Sequence, residues 1–264
     1  MPETKITFIG TAAVVPDAHQ DTACFLINDT ILFDCGWCAA IKMQEYGYSP
    51  MGLETLFLTH CHHDHYLGLP ALVFFRGMRG GEKGSPPLRI VGPPDDLPVV
   101  VELSRQFLQA ERFPPAWSPV ELHPLEPGAT YETNAFRIDT VRALHPVTAV
   151  CGRFTDKATG VAIAFSGDTA PNEALVELAR GADLLIHEAS ISPHAADEHM
   201  SGDHSRSIDA ARIARDAGVK RLRLVHLGNH REASLEAARN IFPETTLADE
   251  GETLFLTHPN GFQN

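Results

Sequence analysis

The sequence predicts an α/β fold, a four-layer αβ/βα sandwich of two sheets with helices outside. Short apolar stretches alternate with amphipathic ones along the 264 residues, which is typical of strands alternating with helices. The second half also echoes the first, because Phe165-Ser166-Gly167-Asp168 ends its strand as Phe33-Asp34-Cys35-Gly36 does. The echo is weak, and chance similarity is the alternative. We expect a single domain, 1–264, with halves of about 1–125 and 126–264.

Periodicity and turn residues place the elements of the first half. Asn28-Asp29 is a hairpin turn signal between two of its strands. The proline-rich stretch 111–130 is irregular with short strands and joins the two halves. In order, the first half is predicted to contain strands 5–9, 23–27 and 30–33, a helix around 38–46, a strand 53–59, an apolar helix from 66, a Gly- and Pro-rich loop 76–88, a strand 88–91 and a helix 95–109.

The second half follows the same rules. Gly218 is a C-cap signal that ends one of its helices. The predicted elements are strands 136–144 and 161–165, a helix 172–180, a strand 183–188, a helix 205–217, a strand 221–226, a helix 232–241 and a strand 253–257.

Charge and cysteine content limit the partners and the compartment. The formal net charge of −13 repels nucleic acid and anionic membranes, so neither is expected as a partner. No run of apolar residues approaches the roughly 18 of a membrane span, and the start lacks a signal-peptide pattern. Five cysteines without a disulfide spacing indicate free thiols in a reducing cytoplasm.

A cluster of histidines follows the predicted strand 53–59. His60, His62, Asp64 and His65 lie within six positions, on a turn from strand to helix. Imidazole and carboxylate are the ligands of catalytic zinc, and two adjacent pairs suit two metals better than one. A polar loop with a chance run of histidine is the alternative, since the chain has 14.

Three further polar residues follow predicted strands: His145, Asp168 and His226. Strand ends gather at one rim of a sandwich, so we expect all three to meet the first cluster there. A single polar residue at a strand end is more often solvated or hydrogen-bonded than a metal ligand. Together with the first cluster they indicate metal ligation.

The pattern His-x-His-x-Asp-His at 60–65 resembles the signature of the metallo-β-lactamase-fold hydrolases. The resemblance implies one metal held by His60, His62 and His145, a second held by Asp64, His65 and His226, and Asp168 as the bridge. It implies two Zn²⁺ per chain, with Mn or Fe as alternatives, and a shared water that attacks as hydroxide.

Two more motifs are similar to the ribonuclease Z branch of that family: His187-Glu188-Ala189-Ser190 and His204-Ser205. By this resemblance His204 is the general acid that protonates the leaving group, and Glu188 orients it. Asp64 is counted with them as catalytic. The alternative for His204 and Glu188 is a residue near a helix N-terminus and a solvated loop. The resemblance also implies a homodimer.

The chain departs from ribonuclease Z in the parts that hold transfer RNA. The loop 16–21 has neither Lys nor Arg, where that branch has a basic loop. His145 and Asp168 are 23 positions apart, too few for the RNA-binding arm.

We therefore predict a small ester substrate, a phosphodiester or a sulfate ester. The alternatives are a lactone or carboxylic-ester hydrolase, a transfer-RNA 3′ endonuclease, and a non-catalytic metal-binding or scaffold module. The sequence does not decide whether Cys61, His194 or His199 has a role.

Overall fold

The computed structural model describes residues 2–81, 84–197 and 202–257. The strands are β1 (Thr4–Gly10), β2 (Cys24–Ile27), β3 (Ile31–Phe33), β4 (Thr55–Phe57), β5 (Leu88–Gly92), β6 (Val120–Pro124), β7 (Thr130–Glu132), β8 (Phe136–Arg142), β9 (Val150–Asp156), β10 (Ala162–Phe165), β11 (Leu184–Glu188), β12 (Leu222–Val225), β13 (Thr245–Leu247) and β14 (Thr253–Leu256). The helices are α1 (Ala39–Glu45), α2 (His63–Tyr66), α3 (Leu69–Gly80), α4 (Leu97–Phe107), α5 (Glu173–Leu178), α6 (Ser207–Ala217) and α7 (Arg231–Arg239).

The first sheet has the strand order β14-β1-β2-β3-β4-β5-β6. Its strands β1 to β3 pair antiparallel, and β3 to β6 pair parallel. The predicted hairpin turn is confirmed, because Asn28 and Asp29 lie in the three-residue loop between the paired residues Ile27 and Ile31. Both have positive φ (47° and 60°), the conformation that type I′ turns use. Since β3 and β4 are parallel, the residues that follow them lie at the same edge of the sheet.

Helices α1, α3 and α4 pack on this sheet through a cluster of buried apolar residues that includes Met43, Leu72 and Val100. Helix α3 continues to Gly80, so the prediction of a loop from residue 76 was wrong. Glycine is needed at position 77 inside this helix, because a Cβ there would lie 2.5 Å from the carbonyl oxygen of Pro115. Buried Arg76 stabilises the same turn by donating to the carbonyls of Pro50 and Leu53.

The second sheet has the order β13-β12-β11-β10-β9-β8-β7. Strands β10 to β13 pair parallel, whereas β7 to β10 pair antiparallel. Helices α5, α6 and α7 pack on it through an alanine-rich apolar cluster, and small residues allow close approach of helix and sheet. Gly218 ends α6 in the left-handed conformation (φ 63°), which confirms the predicted cap.

Several short elements differ from the prediction. Strands β7, β9 and β13 were not predicted. The histidine cluster, expected on a turn, contains the short helix α2, which precedes the apolar helix α3. Strands β10 and β11 are buried at every position, so they give no alternating pattern, as is usual when both faces of a sheet are covered.

The described chain divides into two compact units. The first unit contains residues 6–126 and 250–253, and the second unit contains residues 127–249 with the described chain ends. The single domain expected from the sequence stays a prediction. Among the described helices, none is long and apolar enough to cross a membrane, and the cytoplasmic location also stays a prediction.

Candidate functional site

In the first unit, the histidine cluster lies directly after β4 and runs into α2. His60, Asp64 and His65 are buried, and His62 is half-buried. The His60 and His62 rings lie 4.9 Å apart between centroids, and their ring nitrogens offer ligand atoms within 4.8 Å of each other. Nε2 of His65 lies 3.4 Å from Oδ2 of Asp64. The four predicted ligands of this unit therefore converge on a small region.

Asp34, which directly follows β3, contacts the His65 ring at Nδ1, the nitrogen remote from Asp64. Its Oδ2 accepts from His65 Nδ1 at 2.8 Å, and its Oδ1 accepts from the backbone N–H of Thr59 at 2.8 Å. Because a carboxylate only accepts, His65 carries its proton on Nδ1 and directs Nε2 toward Asp64. Asp34 was not predicted as a site residue. The signal was present, since the strand before Asp34 is neighbour to the strand before the cluster.

A second support comes from the start of the chain. The hydroxyl of Thr22 donates to the backbone carbonyl of Asp64 at 2.6 Å, which fixes the first turn of α2. Cys61 packs against the apolar cluster of the first unit, and burial raises the pKa of its thiol to about 12. Cys61 is therefore a neutral packing residue.

In the second unit, the predicted residues gather at one edge of the sheet. Asp168 follows β10, Glu188 ends β11 and His226 follows β12, and these three strands are parallel neighbours. His145 follows β8 and belongs to the same edge. Polar groups beyond the carboxyl ends of parallel strands are the usual place for a ligand site.

The distances at this edge suit shared ligation. Nε2 of His226 lies 3.6 Å from Oδ2 of Asp168. His145 donates from Nδ1 to the backbone carbonyl of Asp203 at 2.9 Å, so its other ring nitrogen is directed away from that carbonyl. His194 is exposed, and His199 lies outside the described residues.

The donor sets fit a divalent metal. Two ligand atoms that are each about 2.0–2.1 Å from one tetrahedral zinc ion are separated by about 3.4 Å. The pairs His65–Asp64 and His226–Asp168 are separated by 3.4 and 3.6 Å. In both histidines the remote nitrogen is held by a hydrogen bond, as metal-binding histidines require.

His204 and Glu188 form a pair beside Asp168. Nδ1 of His204 lies 2.9 Å from Oε1 of Glu188 and 3.8 Å from Oδ2 of Asp168. Burial alone lowers the pKa of His204, but the hydrogen bond and charge of Glu188, with the charges of Asp168 and Asp203, outweigh it and raise the pKa to about 9. The contact with Glu188 therefore favours the protonated form of His204, which can donate a proton.

Comparisons with known proteins identify the class. A family model described as a beta-lactamase superfamily domain matches residues 29–227. The metallo-β-lactamase-fold protein YhfI from Bacillus subtilis superposes with a TM-score of 0.80 at 26% identity, over 97% of this chain and 100% of that chain. The chain therefore belongs to the metallo-β-lactamase superfamily of hydrolases, and the predicted sandwich fold class is confirmed.

Curated relatives point to one branch of that superfamily. Ribonuclease Z of Methanothermobacter thermautotrophicus is 31% identical, with 93% of this chain and 94% of the relative covered. Ribonuclease BN of Cronobacter sakazakii is 27% identical, over 96% of this chain and 99% of the relative. The predicted resemblance to ribonuclease Z is confirmed. These relatives also favour the ribonuclease Z alternative over the small ester that the sequence analysis put first.

Proposed function

We propose that this chain is a metal-dependent phosphodiesterase of the ribonuclease Z type, with RNA as its leading substrate class. The observation that carries the proposal is the Glu188–His204 pair beside Asp168, because a charged histidine at that place supplies the proton that a poor leaving group needs. The relatives named ribonuclease Z support the choice of RNA over a small ester.

We further propose a binuclear metal centre, with the ligand sets that the resemblance implies. His60, His62 and His145 would hold one ion, Asp64, His65 and His226 would hold the other, and Asp168 would bridge them. Two Zn²⁺ fit this set of imidazoles and carboxylates. Bound divalent ions would lower the pKa of a water molecule and offset negative charge that develops on a phosphate.

His204 would act as general acid through Nε2. Its Nδ1 donates to Glu188, so in the imidazolium form Nε2 keeps a hydrogen for the leaving oxygen. Glu188 is 1% exposed, and its Oε1 also accepts from the backbone N–H of Thr169 at 2.9 Å. The buried carboxylate therefore holds the ring in place and stabilises its charge.

A small phosphodiester is the second candidate, and specific observations favour it. The connection from His145 to Asp168 contains little more than the antiparallel pair β9 and β10. The alignment with the 31% identical ribonuclease Z runs over 298 positions, more than the 264 residues of this chain, so that relative has residues without a counterpart here. The net charge of −13 also opposes a polyanion.

A substrate panel tests the proposal. Fully metallated protein is given a labelled precursor transfer RNA, bis-p-nitrophenyl phosphate, an aryl sulfate and a lactone, each with and without a chelator. Chelator-sensitive cleavage of the RNA supports the leading proposal, and turnover of the small diester alone supports the second candidate. Turnover of the sulfate or lactone alone, or of nothing, overturns both, and inactivity on every substrate favours a binding module.

A further inference from the structure

Ser190, just after β11, makes two short hydrogen bonds through one hydroxyl group. Its Oγ lies 2.6 Å from Oε2 of Glu188 and 2.7 Å from Nδ1 of His226. A hydroxyl has one hydrogen, and an ionised carboxylate only accepts, so that hydrogen goes to Glu188. The bond to His226 then runs from Nδ1–H to the oxygen of Ser190, which leaves Nε2 of His226 as the ring nitrogen toward Asp168.

Glu188 is the second end of this chain of hydrogen bonds. Its Oε2 accepts from both the hydroxyl and the backbone N–H of Ser190. Its Oε1 accepts from His204 and from the backbone N–H of Thr169. Each carboxylate oxygen thus has two donors, and the rotation that would turn Glu188 away from His204 breaks several bonds at once.

The backbone around Ser190 is held without its side chain. Ala189 N–H donates to the carbonyl of Val225 at 3.1 Å, and Nε2 of His230 donates to the carbonyl of Ser190 at 3.1 Å. The hydroxyl is therefore not needed to close this turn. Its position between a ligand histidine and the carboxylate that holds His204 calls for another explanation.

We propose that Ser190 is a positioning residue that couples the metal ligand His226 to the Glu188–His204 pair. It holds His226 in the tautomer with Nε2 available for metal, and it holds Glu188 turned toward His204. This inference rests on the proposed function, and it extends that function to a residue that touches neither metal nor substrate. A methyl group in place of the hydroxyl would loosen both ends together.

The test compares Ser190→Ala with Ser190→Thr, which keeps the hydroxyl on a branched side chain. Metal affinity is measured by competition with a chelator, and the tautomer of His226 is read by nitrogen NMR of the metal-free protein. We expect Ser190→Ala to lower metal affinity about 10–100-fold, the usual effect of removing a partner of a ligand histidine, and to change the tautomer. Ser190→Thr is expected to restore both.

The second readout is turnover at saturating metal. We expect Ser190→Ala to lower kcat more for a diester with an alkoxide leaving group than for bis-p-nitrophenyl phosphate, with KM little changed. Ser192→Ala is the matched control, because the Ser192 hydroxyl accepts a long hydrogen bond of 3.4 Å from His194 N–H in the same loop. That control is expected to behave as the original protein.

Three results would overturn the role of Ser190: unchanged metal affinity in Ser190→Ala, equal defects in the Ala and Thr variants, or a loss of thermal stability with affinity and tautomer intact. Failure of the unsubstituted protein to turn over any diester would overturn the proposed function instead. The chelator and NMR comparisons would still decide the role of Ser190.

Discussion

The two units support their ligand histidines in different ways. In the first unit, His65 donates to Asp34, and the other contacts of that carboxylate go to the backbone N–H and hydroxyl of Thr59. In the second unit, His226 is held by Ser190, which also contacts Glu188, and Glu188 contacts His204. The first support leads to another proposed metal ligand, because the Thr59 hydroxyl also lies 3.1 Å from Nδ1 of His60, whereas the second leads to a proposed proton donor.

This difference separates two effects of mutation. A change around His65 should alter how tightly metal is held and leave proton transfer intact. A change around His226 should alter both, because the two share a buried carboxylate. The following substitutions test the distinction, beginning with the largest expected effect.

Asp168 contacts both sides of the second network, since Oδ2 lies 3.6 Å from His226 and 3.8 Å from His204. We expect Asp168→Ala to lose both metals in elemental analysis and to lower turnover to the level of chelator-treated protein. Asp183→Ala is the control: Asp183 is an equally buried aspartate at the opposite end of β11, bonded to Lys220 and to Ala162 N–H. Full metal content in Asp168→Ala would contradict the bridging role.

His204→Ala should separate chemistry from metal binding. We expect full metal content, with turnover about 10²–10⁴-fold slower for diesters with poor leaving groups, the usual contribution of a general acid. Turnover of bis-p-nitrophenyl phosphate should change little, because its leaving group needs no proton. His194→Ala, at an exposed position, serves as control. If His204→Ala slowed esters with good and poor leaving groups by the same factor, or slowed neither, His204 would not be the general acid.

Asp34→Asn examines the first support alone. The residue has a positive φ of 56°, which asparagine tolerates, but the amide group removes the charge that fixes the tautomer of His65. We expect metal affinity to fall about 10–100-fold in chelator competition, while the ratio of rates for good and poor leaving groups stays constant. A change in that ratio would show that the two supports are not separate.

The last test concerns folding stability and pH, not activity. Burial raises the pKa of Asp21 from 3.8 to about 6, with Glu250 adding and the N–H groups of Thr22 and Cys38 opposing. Between about pH 4 and pH 6 the folded chain keeps a proton that the unfolded chain has lost, so stability falls as pH rises through that window, by about 3 kcal/mol.

Asp21→Asn should remove this pH dependence from the free energy of unfolding, measured by urea denaturation at several pH values. Its stability relative to the original protein should improve from pH 4 to pH 6 and stay constant above. Asp17→Asn, at an exposed position, should show no such trend. A constant difference across the window would contradict the raised pKa. Asp21 belongs to the same supporting segment of the first unit, because the hydroxyl of its neighbour Thr22 donates to the backbone carbonyl of Asp64.

Several features were predictable because they depend on local sequence. Period and turn residues located β1, β10 and β12, the Asn28-Asp29 hairpin and the Gly218 cap. Shorter or interrupted elements were not predictable. β13 has three residues and gives no period. The two glycines in α3 indicated a loop, although close packing against Pro115 is the reason for glycine at position 77.

The sequence by itself located the residues that we propose to bear the chemistry, because His60, Asp168, Glu188 and His226 all stand where an apolar stretch ends and a strand gives way to a loop. The tertiary structure alone decided which partner holds each of them. Asp34 meets His65 across 31 positions and Ser190 meets His226 across 36. Such contacts arise from the parallel pairing of strands that are distant in sequence, and no local pattern of residues specifies them.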